Sequence, residues 1–131
     1  MAWPEVYLAF LISHLAGDFL LQTEWQAVNK RGGLRRDPER RRALLLHGLT
    51  YTAAYLPALV WLGGEIGALG AAACALAITL PHVLIDDGRV LFAWMSHVKH
   101  NDEPEKWLVA AVDQTFHLVC LLPVAVVAAT A

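Results

Sequence analysis

The sequence predicts an all-α protein, a bundle of four transmembrane helices with a short interfacial amphipathic helix between helices 3 and 4. Three observations predict it. Hydrophobic residues make up 57% of the chain and mean hydropathy is +0.46, above the roughly 45–50% apolar usage of soluble domains. Charged residues are only 17%, against about 25% in an average domain. Four stretches, at about residues 3–25, 43–62, 66–87 and 107–129, approach the ~20 apolar residues that a helical span requires. Residues 1–131 with these four spans read as a single integral membrane domain.

The first stretch begins without a basic region and is interrupted by Asp18, so it reads as a retained span and not as a cleaved signal. Gly32-Gly33 ends it. The link that follows, Asn29 to Arg42, carries seven of the ten Lys and Arg residues. Within it Asp37-Pro38-Glu39 is a helix start, with Asp37 as N-cap and Pro38 at the first helical position. Gly63-Gly64-Glu65 predicts a tight turn between spans two and three. After Asp87, the apolar residues Val90, Leu91, Trp94, Met95 and Val98 recur at helical spacing and predict the interfacial helix. Asn101 to Pro104 leads into span four.

Positive charge sets orientation. The Lys30–Arg42 loop is expected in the cytoplasm of a bacterial inner membrane, with both termini outside. The basic run is read as this topology signal and as a contact for anionic lipid; nucleic acid is not an expected partner. Cys74 and Cys120 lie in apolar runs without CxxC spacing and read as core residues. His97 and His100 read as solvated loop residues.

The chemistry lies in the spans. Ionisable groups at membrane depth are costly and persist where they pair or face a cavity. Span one holds His14 and Asp18, span two His47, span three His82 and Asp86 beside Asp87, and span four Asp113 and His117. Three of the spans thus carry a His/Asp pair at i, i+4, which share a helix face. The order reverses in span four, as an antiparallel bundle needs to keep Asp nearer one side. At 1.5 Å per residue, Asp18, His82 and Asp113 lie ~9 Å from the cytoplasmic ends, and His14 and His117 ~15 Å.

Imidazole nitrogen with carboxylate oxygen suits Zn first, and also Fe, Mn, Ni or Co, and helix bundles hold such ions with inward-facing groups. One or two divalent ions per chain are expected. His14, Asp18, His82, Asp86, Asp113 and His117 are the expected ligands. His47 is expected as a ligand or base, Asp87 as a proton relay, and Gln22, Tyr51 and Gln114 as substrate contacts or partners of the ligands.

The stretch from His14 to Gln22, with His47 and Tyr51, His82-x3-Asp86 and Asp113-Gln114-x2-His117, resembles a bacterial family of small membrane proteins catalogued as domain of unknown function number 3307. The resemblance spans nearly the whole chain and implies that these positions belong together, with no activity attached. A looser likeness is to membrane-bound metal-dependent hydrolases.

The expected function is a metal-dependent hydrolase acting on a lipid-linked or amphiphilic substrate from the cytoplasmic side. The alternatives are a divalent-cation or proton transport module, a haem or quinone redox protein, and a structural membrane subunit whose polar layer fixes helix register. A homo-oligomer is compatible with all of them.

Overall fold

A computed structural model describes all residues from 1 to 131. The chain is all-helical: α1 (Trp3–Leu15), a π-helical turn (Ala16–Leu21), α2 (Glu24–Asn29), α3 (Pro38–Ala54), α4 (Leu56–Asp86), α5 (Arg89–His97) and α6 (Lys106–Thr130). Three helical segments are long and apolar enough to cross a membrane: Trp3–Leu21, Leu56–Asp86 and Lys106–Thr130. Their outer faces are apolar. Ile12, Leu20, Val60, Leu69, Leu80 and Val127 are all exposed, an arrangement that suits lipid and is costly in water.

Two expectations need correction here. The second expected span, 43–62, is not one helix. Asp37 caps α3 as predicted, its Oδ1 accepting from the amides of Glu39 and Arg40. But α3 ends at Ala54, Tyr55 forms the junction, and Pro57 lies in the first turn of the next helix. The Gly63–Glu65 turn is also displaced. Residues 63–65 are helical, and α4 breaks instead at Gly67, whose φ of 79° and ψ of 163° lie outside any helix. Only glycine adopts that backbone readily. A Cβ placed on Gly63 would lie 3.5 Å from the Ala71 Cβ, so the chain doubles back at Gly67.

The first span is likewise divided. Its α-helix stops at Leu15 and gives way to the π-helical turn, and α2 starts afresh after Thr23, whose hydroxyl accepts from the Gln26 amide. A short helix, α5, forms where one was expected between Asp87 and Asn101, with Leu91 and Met95 buried and Val90, Trp94 and Val98 exposed. Cys74 is buried and Cys120 partly buried, both as free thiols.

The interior separates into two layers. An apolar core unites Val6 and Phe10 of α1, Tyr51 of α3, Leu59, Leu62 and Ile78 of α4, and Leu121 and Ala125 of α6, with Tyr55 at the α3–α4 junction. The other layer, toward the loops after α1 and α4, is polar. The π-helical turn reaches it because Gly17 lets its backbone approach α3: a Cβ there would stand 2.7 Å from the Tyr51 ring and 3.3 Å from the Tyr51 Cα.

Replacing Gly17 by Ala should therefore cost about 1–3 kcal/mol through overpacking. Gly64→Ala, with nothing within 4 Å of the added Cβ, should cost nothing. Thermal unfolding of the two variants in detergent checks the contrast; equal melting temperatures would refute the close approach.

Candidate metal centre

Every element around the polar layer contributes a side chain to it. The π-helical turn supplies Asp18, α3 His47, α4 His82 and Asp86, and α6 His117. The wider π turn is a recurrent way to turn one side chain toward a site, and here it carries Asp18 into the interior. Each of these groups is at least nine-tenths buried.

Their donor atoms converge. His47 Nε2 and His82 Nε2 are 3.1 Å apart. Both meet Asp86 Oδ2, at 3.0 Å from His47 and 3.1 Å from His82. Asp18 Oδ1 lies 3.3 Å from His47 Nε2 and 4.0 Å from His82 Nε2. His117 Nε2 stands 3.6 Å from Asp86 Oδ1. The two Nε2 atoms share a hydrogen bond, but close approach does not make the carboxylate contacts hydrogen bonds. Both Asp86 oxygens, Asp18 Oδ1 and His117 Nε2 are buried without an aligned hydrogen-bond partner, as are His47 Nδ1 and His82 Nδ1.

The spacing has a simple reading. Ligand bonds of about 2.0–2.1 Å put neighbouring ligand atoms about 3.0 Å apart at right angles and about 3.4 Å apart in a tetrahedron. The His47–His82–Asp86 triangle, with edges of 3.0–3.1 Å, matches one face of such a sphere. Asp18 Oδ1 is the next donor outward. Two groups of three fit an ion by proximity, Asp18–His47–His82 and His82–Asp86–His117. They share His82, and the set is one connected cluster.

The hydrogen bonds behind the cluster fix the tautomers of His117 and His14. His117 Nδ1 donates to the Asp113 carbonyl at 2.8 Å, which leaves Nε2 as a lone pair aimed at the centre. This is the usual support of a metal-binding histidine. His14 differs, because both its ring nitrogens are occupied. The Gln114 amide nitrogen donates to Asp18 Oδ2 at 3.1 Å, so Gln114 Oε1 accepts from His14 Nε2 at 2.8 Å. His14 Nδ1 then accepts from Tyr51 Oη at 3.0 Å, and Tyr55 donates to Tyr51 at 2.8 Å. The Tyr51 ring also stacks on His82, centroids 3.4 Å apart.

The expected site residues therefore sort themselves. Asp18, His82, Asp86 and His117 meet at the centre, and His47 joins them as a ligand-type group. His14, Tyr51 and Gln114 stand behind. Asp113 stays apart from the donors: its Oδ2 is 3.9 Å from His117 Nδ1, on the far side of that ring. Asp87 points away, Oδ2 bound to Arg89 Nε at 2.6 Å and Oδ1 accepting the Leu34 amide. Gln22 accepts from Lys30 Nζ at 2.7 Å.

Lys30 was missed by sequence reasoning. It is 7% exposed, and its ammonium lies 2.9 Å from Asp86 Oδ2. In the sequence it is one of seven basic residues in a row of loop positions. The only signal that could have separated it is its place at the start of the run, one residue after α2. Two buried carboxylates against this one ammonium leave the cluster net negative, which favours a further cation.

A helical membrane-type protein with a buried His/Asp cluster is the class that this fold and site define. The family described as "Protein of unknown function (DUF3307)" matches residues 6–131, and the chain belongs to it. No curated protein and no solved structure matches the chain, so the looser likeness to membrane-bound hydrolases gains no support.

The hydrogen-bond directions make a spectroscopic prediction. Nitrogen-15 spectra of histidine-labelled protein in micelles should show His117 as the Nδ1–H tautomer and His14 as the Nε2–H tautomer. The reverse assignment at His117 would remove its lone pair from the centre.

Proposed function

We propose that the chain is an integral membrane protein that holds a divalent metal ion in the plane of its helix ends and uses it for hydrolysis of an amphiphilic substrate from the cytoplasmic side. One observation carries this reading: five buried residues on four elements bring His47, His82 and Asp86 donor atoms to ligand-edge spacing, with Asp18 and His117 beside them. In this reading α1 with its π turn, α3 continued through residue 66, residues 68–86, and α6 are the four crossing segments. The turn at Gly67 then faces outward, and the Lys30–Arg42 loop faces the cytoplasm under the positive-inside rule.

Zinc suits the mixed nitrogen and oxygen donors best, with Fe, Mn, Co and Ni as other occupants. Once bound, such an ion lowers the pKa of its water toward about 7 and polarises a phosphoryl or carbonyl oxygen. The chain's own part is to position and neutralise. Asp86 and Asp18 supply negative charge, Lys30 neutralises part of it, and the Gln114–His14–Tyr51 chain fixes the orientation of Asp18. With Asp87 tied to Arg89 and the Leu34 amide, Asp18 is the better placed carboxylate to accept a proton.

The hydrogen-bonded chain Tyr55–Tyr51–His14–Gln114–Asp18 favours a second reading, movement of protons or of the divalent ion itself. Proteoliposome flux that His14→Ala abolishes would select it over the enzyme.

Elemental analysis of protein purified without chelators tests the metal reading. A stoichiometric transition ion is expected. His82→Ala and Asp18→Ala should lose it, and Asp113→Asn should keep it. His14→Ala should weaken binding about 10–100-fold, the usual effect of removing a group that orients a ligand. Equal metal content in wild type and His82→Ala would contradict the assignment.

A further inference from the structure

Beside the metal centre lies a second feature that the proposed chemistry has not used. A cavity of about 320 Å³ is lined by Arg31, Arg35, Arg40, Arg89, Asp87 and Phe92, among others. A topology signal needs positive charge near a span and no particular arrangement of it. Here guanidinium groups from three places, the loop after α2, the first turn of α3 and the start of α5, surround one space.

Their charges are only partly answered. Asp87 is engaged by Arg89 and the Leu34 amide. Arg40 reaches the Arg31 carbonyl at 3.2 Å and Asp37 at 3.5 Å. The Arg31 guanidinium lies over the Phe92 ring, 5.2 Å from its centroid, and its Nη1 is buried without a hydrogen-bond partner. A buried charged donor without an acceptor is costly. One carboxylate among four guanidinium groups leaves the cavity strongly positive.

The cavity and the cluster share a wall. Lys30 and Asp86 face the metal centre, paired with each other. Their chain neighbours Arg31 and Asp87 line the cavity. The Gly32 amide donates to the Asp87 carbonyl at 2.9 Å and so ties the loop to the end of α4.

We infer that Arg31, Arg35, Arg40 and Arg89 form a binding site for a phosphate monoester, which holds the phosphate group of an anionic lipid or of a soluble phosphorylated compound next to the metal centre. Guanidinium forks match phosphate oxygens two at a time. The position beside the metal centre rests on the function proposed above; the anion site itself does not.

Native mass spectrometry and titration of the detergent-solubilised full chain test it, with dioleoyl phosphatidic acid, dioleoyl phosphatidylcholine and inorganic phosphate as probes. Phosphatidic acid should bind saturably and phosphatidylcholine should not. Inorganic phosphate that displaces the lipid also supports the site, and phosphate binding without lipid binding assigns it to a soluble ester. Arg31→Gln and Arg35→Gln should each weaken binding about tenfold or more, as loss of a charged hydrogen bond does. Arg35 is exposed, so its variant keeps the test valid if Arg31→Gln misfolds. Arg36→Gln and Arg42→Gln, in the same basic run outside the cavity, should change binding by less than about twofold. Equal loss in both sets, or no saturable binding of either probe, overturns the site. His82→Ala keeps phosphatidic acid binding whether or not it holds metal, so failure of the anion site and failure of the metal centre are read separately.

Discussion

The constraint on which the rest of the structure depends is the burial of the Asp86 carboxylate. It is 2% exposed at the C-terminal end of a long apolar helix, where an isolated charge costs several kcal/mol. Lys30, His47, His82 and His117 all approach it. The loop that delivers Lys30 is held in place by Asp87, the next residue in the chain, through the Gly32 and Leu34 amides. Removing Asp86 would leave Lys30 buried beside two histidines with only Gln22 as partner.

Around this carboxylate the fold divides its work. The apolar core from Val6 to Ala128 clamps α1, α3, α4 and α6 at one level. The polar cluster occupies the other level. Tyr51 and Tyr55 stand at the border, their rings in the core or against His82 and their hydroxyls in the chain that ends at Asp18. Buried polar networks are stable when every member is satisfied. This one is satisfied along the chain that ends at Asp18 Oδ2; its orphans are His47 Nδ1 and His82 Nδ1 on the outer sides of their rings and, facing the centre, Asp18 Oδ1, Asp86 and His117 Nε2. A cation at the centre would supply the missing partner to the orphans that face it.

Much of this was legible in the sequence. The i, i+4 pairs identified His82 with Asp86, and the reversed order in the last helix placed His117 on the same side as His14. Periodicity and caps gave α5 and the start of α3. What was not legible depended on contacts between elements. His14 and His117 have the same sequence setting, one turn from an aspartate. Only the position of Tyr51 and Gln114 makes one a support and the other a lone-pair donor. Asp113 shares its helix face with His117 yet falls behind the ring. Asp86 and Asp87 are adjacent in sequence and face different sites. The turn at Gly67 escaped because Gly63, Gly64, Gly67 and Gly70 all offer a break, and the choice among them is made by packing of residues 56–66 against 68–86. Lys30 was hidden in a run of like charges.

The central claim is that an ion sits among Asp18, His47, His82, Asp86 and His117. X-ray absorption at the metal edge of purified protein tests it most directly. A first sphere of nitrogen and oxygen at about 2.0–2.1 Å is expected, with the multiple-scattering signature of two or more imidazoles that is lost in His82→Ala. A sphere containing sulfur at about 2.3 Å, or one of oxygen alone without imidazole scattering, would contradict it.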